Sequence, residues 1–315
     1  MSMLSVGYPI VCFGEVLWDI LPKGTVPGGA PMNVTYHLNK LGHRTALITR
    51  IGLDDAGKKL IGAIERNSIP VDFFQMDNEL ETGKVIASFQ KNDEIKYEIS
   101  QPVAWDNIQW DDEFDELLSR CQYFVFGSLA ARSAESRATL YRLLKMAKYR
   151  VFDMNLRTPH FDRDTLEVLL KNTDLLKMNI HELDWITGWF SKYESFQERL
   201  TVLQERFNIP KIIVTRGSEG AAYMVDGLIH DHPGFTVDVV DTVGSGDAFL
   251  AGIINKIIEQ AEPGPALEFA CAMGACIAGY NGPCPAYDIR EINRIREEKP
   301  AAGSTYHVER SQSVF

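Results

Sequence analysis

The chain has 315 residues, of which 45% are hydrophobic and 24% are charged; its formal net charge is −11, and its five cysteines have no framework spacing. These values exclude a disordered or collagen-like chain, disfavour binding to nucleic-acid phosphates and favour reduced cysteines. Because no apolar run reaches the ~20 residues that cross a bilayer and Met1–Val11 lacks the pattern of a secretory signal, we expect a cytoplasmic globular protein with no membrane or nucleic-acid partner.

Short apolar runs alternate with segments of helical periodicity along most of the chain. The runs that predict strands are Ile10–Phe13, Thr45–Ile48, Tyr123–Phe126, Val151–Phe152 and Lys211–Thr215. The segments that predict helices include Asn33–Leu41, Lys58–Asn67 and Ser133–Ala147. This alternation predicts an α/β fold in which a mainly parallel central sheet has helices on both faces. Ligands of such sheets bind beyond the carboxyl ends of the strands.

The segment Thr82–Ser100 departs from this alternation, because apolar and polar residues alternate on both sides of residues 91–93. This pattern predicts a β-hairpin with one apolar face, and Glu15–Val26 is a candidate for further strands of the same small sheet. We therefore predict a β-sheet lid that covers the substrate or a second copy of the chain in a homodimer. The predicted lid consists of residues 15–26 and 71–103, and the predicted α/β core consists of residues 1–14, 27–70 and 104–315. The polar tail Lys299–Phe315 is predicted to be loosely held.

The strongest functional signal lies in Val237–Ile258. Val237–Val240 is predicted to be a strand, and the glycine-containing segment Asp241–Asp247 then leads into a helix. Gly244 and Gly246 free the backbone to direct successive N–H groups at one point, where the helix dipole adds positive charge, so an anion such as phosphate is the predicted ligand. Asp247 in the first turn is either a helix cap or a base that accepts a hydroxyl proton. A carboxylate beside N–H groups that bind an anion favours the base.

Paired glycines at Gly28 and Gly29 precede a predicted helix that ends near Gly42. Such a pair allows the backbone to approach a ligand closely, and Asn33 supplies both donors and an acceptor at the start of the helix. The alternative interpretation of the same residues is a turn followed by a helix cap.

Three other motif matches are rejected. Gly52–Lys59 is similar to a P-loop, but Lys59 stands where the Ser or Thr ligand of Mg²⁺ is required. The segment around Gly244 lacks the third glycine of a dinucleotide fingerprint. The pairs His230/His232 and Cys271/Cys276 lack further ligands at metal-binding spacing.

Taken together, the motifs resemble those of the ribokinase-like (PfkB) carbohydrate kinases. Gly28–Gly42 is similar to the amino-terminal signature of that family, and Asp241–Asp247 is similar to its DTxGAGD signature, with Ser245 in place of the usual Ala. The resemblance extends over roughly residues 8–290 and is greatest to bacterial fructokinases. It implies a ribokinase-like α/β fold with a lid, and transfer of the γ-phosphoryl group of ATP to a sugar hydroxyl, with fructose as the first choice of sugar.

The resemblance also implies roles for individual residues. The catalytic set is Asp247 as general base, Gly244, Ser245 and Gly246 as the anion hole, and Arg157, which can fork onto a phosphate. The sugar-binding set is Asp19, Gly28, Gly29, Asn33, Tyr97 and Ile99, together with Arg157 and Asp247. The ATP-binding set is Asn155, Asn179, Glu182, Thr215, Arg216, Gly217, Ser218, Gly220, Gly244, Gly246 and Cys271. Mg²⁺ is expected to be held through water by Asn179 and Glu182, and a monovalent cation such as K⁺ beside Asp241 and Val243.

Several alternatives stay open at this point. Arg157 can equally pair with a sugar-acid carboxylate, which makes 2-keto-3-deoxygluconate the second candidate substrate. Taken alone, Arg157 is also typical of a surface ion pair, and Asn179 of a helix cap. The loop Ala278–Pro285 departs from the family's pattern for the second half of the cation site. A sugar or nucleotide sensor without catalytic activity is a further alternative, which the presence of Asp247 and of the signature glycines disfavours.

Overall fold

The computed structural model describes residues 7–21, 24–89, 95–190, 195–297 and 308–310, with the backbone alone at 87–89, 95–97 and 308–310. The chain divides into two compact units, Met1–Lys148 and Tyr149–Phe315. Among the helices within the described ranges, none combines the length and the hydrophobicity that a membrane crossing requires.

The strands of the first unit are β1 (Ile10–Phe13), β2 (Leu17–Leu21), β3 (Gly24–Gly28), β4 (Thr45–Gly52), β5 (Phe74–Asp77), β6 (Gly83–Phe89), β7 (Ile95–Ile99) and β8 (Tyr123–Gly127). Its helices are α1 (Ala30–Lys40), α2 (Asp55–Arg66), α3 (Glu113–Arg120) and α4 (Ala134–Met146). The parallel strands β8, β1, β4 and β5 lie side by side in that order. All four residues of β1 are fully buried, as expected for a parallel strand covered on both faces.

A separate four-stranded sheet in the first unit has the order β3-β2-β6-β7, so the predicted small sheet is confirmed. In its hairpin Val85 lies opposite Ile99 and Ala87 opposite Tyr97, which is the pairing that the alternating pattern predicts. The turn predicted at residues 91–93 lies outside the described residues. One part of the predicted lid range is different: Phe74–Asp77 pairs with β4 instead of joining the small sheet.

The strands of the second unit are β9 (Arg150–Asp153), β10 (Leu175–Asn179), β11 (Lys211–Thr215), β12 (Ala221–Val225), β13 (Leu228–His232) and β14 (Val308–Arg310). Its helices are α5 (Arg163–Lys171), α6 (Ile180–Thr187), α7 (Phe196–Phe207), α8 (Ser245–Ile258), α9 (Pro263–Ala278) and α10 (Ile289–Glu297). Strands β9, β10 and β11 are parallel neighbours, and β12, β13 and β14 continue the order as antiparallel neighbours. Parallel strands alternating with helices confirm the predicted α/β class.

Two predictions for the second unit are corrected. The segment Val237–Val240 is not a strand, since the N–H groups of Val240 and Asp241 bond to the carbonyl of Ala278 at the end of α9, at 2.8 and 3.2 Å. Within the tail that was predicted to be loosely held, Val308–Arg310 pairs with β13 as an edge strand; the rest of that tail lies outside the described residues.

Candidate active site

The predicted anion hole lies at the start of α8, and its geometry requires glycine. Gly244 occupies the N-cap position with φ +80°, in the left-handed region that glycine tolerates. A Cβ atom there would lie 2.6 Å from the Cα of Pro283, so no side chain fits. Because glycine has no side chain to cap the helix, the first N–H groups of α8 receive no cap from this position. Asp247 stands at the third position of the helix, in the same first turn.

The loop before α8, residues 241–244 and here named the anion loop, is held by hydrogen bonds at several points. The two carboxylate oxygens of Asp241 accept the N–H groups of Val243 and Gly282, at 3.0 and 3.1 Å. The hydroxyl of Ser245 donates to the carbonyl of Gly274 on α9 at 2.7 Å. The Ser that replaces the family's usual Ala therefore adds a hydrogen bond that holds the loop. The bond from Gly282 places Asp241 beside the loop Ala278–Pro285, here named the divergent loop. The cation expected beside Asp241 and Val243 stays a prediction.

Beneath the first turn of α8 lies a buried ion pair that the sequence analysis missed. The ammonium of Lys177 on β10 lies 3.0 and 3.1 Å from the carboxylate oxygens of Asp153 on β9. A Cβ atom at Gly246 would be 3.1 Å from this ammonium nitrogen. Burial opposes the charged form, but the carboxylates of Asp153, Asp247 and Glu182 outweigh it and raise the pKa of Lys177. A lysine within an otherwise apolar strand was the signal for this pair, because buried lysines require a partner.

Asn179 and Glu182 form a reciprocal cap at the carboxyl end of β10. The amide oxygen of Asn179 accepts the N–H of Glu182 at 2.9 Å, and the Glu182 carboxylate accepts the N–H of Asn179 at 2.8 Å. The other carboxylate oxygen of Glu182 accepts the N–H of Leu156 at 2.7 Å. Burial, reinforced by the charge of Asp153, raises the pKa of Glu182 against these hydrogen bonds. The capping alternative for Asn179 is therefore observed, and the expected role of the pair toward Mg²⁺ stays a prediction.

Asn155 and Arg157 follow the carboxyl end of β9, as expected. Asn155 has φ +37°, a conformation that Asn adopts more readily than most residues. The side chain of Arg157 is exposed and, among the described residues, makes no hydrogen bond or ion pair. The alternative of a surface ion pair is thus not observed within the described part of the chain, and its guanidinium is available to a ligand.

The predicted nucleotide segment follows β11 as a tight turn. Gly220 has φ +79°, and a Cβ atom there would lie 2.0 Å from the carbonyl oxygen of His232. The guanidinium of Arg216 bonds to Asp231 on β13 at 2.7 and 3.0 Å, and the contact expected between Arg216 and ATP stays a prediction. Cys271 lies near this pair on α9, and burial raises the pKa of its thiol to about 12, so the thiol is neutral. Thr215, Gly217 and Ser218 belong to the same turn.

Four of the predicted sugar-binding residues, Asp19, Gly28, Gly29 and Asn33, lie around β2, β3 and the start of α1. A Cβ atom at Gly28 would lie 1.9 Å from a carboxylate oxygen of Asp19, so this carboxylate rests directly on Gly28. Gly29 has φ +117°, and a side chain there would overlap the carbonyl oxygen of Glu15. Asn33 is buried in the first turns of α1, and its N–H donates to the Gly29 carbonyl at 2.9 Å. Ile99 lies on β7 and is half-buried; the side chain of Tyr97 lies outside the described residues.

Comparison with known proteins identifies the family and the fold. The model of the pfkB family of carbohydrate kinases matches residues 23–290. The probable fructokinase-6, chloroplastic, of Arabidopsis thaliana is 27% identical over 317 aligned residues, covering 90% of this chain and 80% of the relative. The crystal structure of fructokinase with bound ATP from Xylella fastidiosa has a TM-score of 0.82 at 21% identity, covering 93% of this chain and 99% of the other.

The crystal structure of 2-dehydro-3-deoxygluconokinase from Thermotoga maritima has a TM-score of 0.81 at 17% identity, with the same coverage of 93% and 99%. At these identities the two structures establish the fold alone. The family model, in contrast, spans most of the sequence, including the signature that ends at Asp247. The chain therefore belongs to the pfkB family of carbohydrate kinases, which confirms the resemblance drawn from its two signatures.

Proposed function

We propose that this carbohydrate kinase phosphorylates fructose with ATP, using Asp247 as general base and the start of α8 as the anion hole. The observation that carries the proposal is a helix start whose N-cap is Gly244, with no side chain to occupy the first N–H groups and with a carboxylate in the first turn. Such N–H groups bind an anion, and a carboxylate beside them can accept a proton from a hydroxyl.

In the proposed reaction a sugar hydroxyl oxygen attacks the γ-phosphorus of ATP. A new oxygen–phosphorus bond forms, the bond to the β-phosphate oxygen breaks, and ADP leaves. Asp247 accepts the hydroxyl proton as the bond forms and releases it to solvent after the product departs. The N–H groups of Gly244–Asp247 stabilise the charge on the phosphoryl oxygens during transfer, when that charge is redistributed.

Mg²⁺ would be held through water by Asn179 and Glu182, and when bound it neutralises charge on the ATP phosphates. The donor set fits this arrangement, because both carboxylate oxygens of Glu182 already accept one backbone N–H each and retain a lone pair for water. Mg²⁺ keeps several of its waters when it bridges phosphates. K⁺ beside Asp241 and Val243 is part of the same proposal; replacing K⁺ by tetramethylammonium should lower the rate, and an unchanged rate contradicts this cation site.

The choice of fructose rests on relatives and not on the site. The Arabidopsis relative is named a probable fructokinase and the Xylella structure a fructokinase. We propose that Asp19, Gly28, Gly29, Asn33, Tyr97 and Ile99 bind the sugar. One observation favours the second candidate, 2-keto-3-deoxygluconate: the exposed guanidinium of Arg157, which makes no ion pair within the described residues, matches the carboxylate of a sugar acid.

Release of ADP in a coupled assay tests the proposal. Fructose, 2-keto-3-deoxygluconate, ribose and adenosine are compared as acceptors at saturating ATP and Mg²⁺. Fructose is expected to give the highest kcat/KM. A higher value with 2-keto-3-deoxygluconate, lost in Arg157→Met, would select the second candidate. Absence of turnover with all four would instead favour a sensor without catalytic activity.

We further propose a cytoplasmic homodimer that pairs through the four-stranded sheet. All five cysteines are free, which supports a reducing compartment. Ile86 on β6 is 43% exposed, which supports an apolar contact on this sheet. Sedimentation equilibrium should give a dimer for the wild type and a shift to monomer for Ile86→Glu; a monomeric wild type contradicts the pairing.

A further inference from the structure

The ion pair of Lys177 and Asp153 is buried between β9 and β10 of the second unit. Lys177 stands between Leu176 and Met178, both fully buried, and it lies directly opposite Asp153 in the register of β10 and β9. The side chains of Lys177 and Asp153 are 10% and 5% exposed. Two charges removed from water in this way are costly, and an apolar pair of the same volume is often at least as stable. Stability alone therefore does not explain the pair.

The position of the ammonium relates this pair to α8. Its nitrogen lies 3.1 Å from the place that a Cβ atom of Gly246 would occupy, so it is directly beneath the first turn of the helix. The carboxylates of Asp247 and Glu182 are close enough to favour its charged form. Gly246 thus leaves room for a formal positive charge behind the N–H groups that face the phosphoryl site.

We propose that Lys177, held by Asp153, is a positioning residue for phosphoryl transfer: its buried ammonium fixes the first turn of α8 and the Asp247 carboxylate, and presents the positive end of the ion pair to the anion hole. This inference rests on the proposed function of that site. Asp153 serves as the anchor that keeps the ammonium in one place.

The physical reason is the difference between partial and full charges. A helix start provides the equivalent of roughly half an elementary charge. A fixed ammonium behind it adds the positive end of the Lys177–Asp153 pair in a buried region, where electrostatic effects are stronger than in water. Because the charge is already in place, it needs no reorganisation when the transition state forms. Its effect should therefore appear mainly in kcat and much less in the KM values.

The alternative is that the two charges only neutralise each other inside the core. Three variants separate the two explanations: Lys177→Met, Asp153→Asn and the double variant. In the double variant no charge of the pair is left unpartnered, so it should fold even where Lys177→Met does not. We expect its kcat to be about 10²-fold below the wild type, the loss typical of one preorganised electrostatic group, with both KM values within about threefold. A double variant with wild-type kcat overturns the proposal.

A matched control comes from the other ion pair at the start of the same strand. Arg150 on β9 bonds to Asp174 at 2.8 and 2.9 Å, with both side chains about one quarter exposed. The double variant Arg150→Met/Asp174→Asn should lower Tm and leave kcat within about twofold of the wild type. A kcat loss equal to that of Lys177→Met/Asp153→Asn would show that any loosening of β9 impairs the enzyme, and this would also overturn the proposal.

A binding measurement keeps the inference separate from the proposed reaction. If the wild type phosphorylates no sugar, the proposed function fails, but the charge beneath α8 can still be tested with inorganic tripolyphosphate in a calorimeter. The Lys177→Met/Asp153→Asn variant should bind tripolyphosphate about threefold more weakly than the wild type, within the limit expected for the KM values, and the Arg150→Met/Asp174→Asn control should bind it as tightly as the wild type. Equal affinity in the wild type and the Lys177→Met/Asp153→Asn variant overturns the inference.

Discussion

Replacing Asp247 by Asn removes the proposed base and keeps the shape of its side chain. Asp247 is the third residue of α8, and the N-cap position belongs to Gly244, so the substitution deletes no N-cap side chain. We therefore expect the free energy of unfolding to change by less than about 1 kcal/mol, the typical value of a helix cap. Loss of a positioned general base costs about 10²–10⁴ in rate, which is roughly 3–5 kcal/mol of activation free energy.

The KM for ATP should not rise in this variant. The carboxylate of Asp247 repels a phosphate bound at the same N–H groups, and Asn lacks that charge. Removing a group that acts only in the transition state lowers kcat and kcat/KM by similar factors. Steady-state rates of ADP release, with ATP and fructose varied separately, measure these quantities, and a thermal melt measures stability.

Asp238→Asn is the matched control, because it removes the same charge from the exposed segment that precedes the anion loop. It should leave kcat within about twofold of the wild type. The catalytic assignment of Asp247 is refuted if Asp247→Asn keeps more than about a tenth of the wild-type kcat, against the 10²-fold minimum expected. A lowered Tm with an almost normal kcat would instead identify Asp247 as a structural residue of the helix.

Three further outcomes are expected. Asp19→Ala and Asn33→Ala should each raise the KM for sugar about tenfold to a hundredfold, because a buried polar group left without its partner costs about 1–3 kcal/mol. The KM for ATP should stay nearly constant, and a selective loss of ATP affinity would contradict a role in sugar binding. Hydrogen exchange in β6 and β7 should slow when fructose is added, and equal protection would count against a lid. Although burial opposes it, the N–H groups of Leu80 and Glu79 lower the pKa of Asp77 to about 2. The ionised Asp77 carboxylate therefore stabilises the fold fully above about pH 4, and this stabilisation is lost as pH falls towards 2. In urea unfolding, the Asp77→Asn variant should be about 2 kcal/mol less stable than the wild type at pH 7 and nearly as stable as the wild type near pH 2.

Local patterns were enough to predict most of the fold. Lys211–Thr215 is a strand with the predicted bounds, because a short run of branched residues next to a glycine turn has few alternatives. Val237–Val240 is also rich in branched residues but is not a strand. A strand needs a neighbour to complete its hydrogen bonds, and here the N–H of Val240 bonds to the end of α9 instead. That hydrogen bond joins residues far apart in the sequence, so local sequence preferences do not predict it.

In the candidate site too, local patterns predicted some residues, whereas long-range contacts determine others. Gly244 and Asp247 were found because a glycine turn and a first-turn carboxylate have local chemical meaning. The ion-pair partner of Arg216 is Asp231, which the pairing of β11, β12 and β13 brings to it, and no local pattern indicates this partner. Lys177 and Asp153 are 24 residues apart and meet only because β9 and β10 are neighbours. Charged residues inside apolar strands indicate that a partner exists, and the sheet register decides which one.

The contacts around the anion loop explain how the chain tolerates its divergent second loop. Within residues 278–285 that loop departs from the family's pattern, yet Gly282 still donates its N–H to Asp241 at 3.1 Å and Pro283 still packs against Gly244. Ser245, the other departure, adds a hydrogen bond to α9. The anion loop is thus held from two sides by contacts within the chain, which is the condition under which N–H groups stabilise a transition state without reorganisation. The anion loop depends on residues 278–285 for two contacts, the N–H of Gly282 that Asp241 accepts and the close approach of Pro283 to Gly244, and both are present.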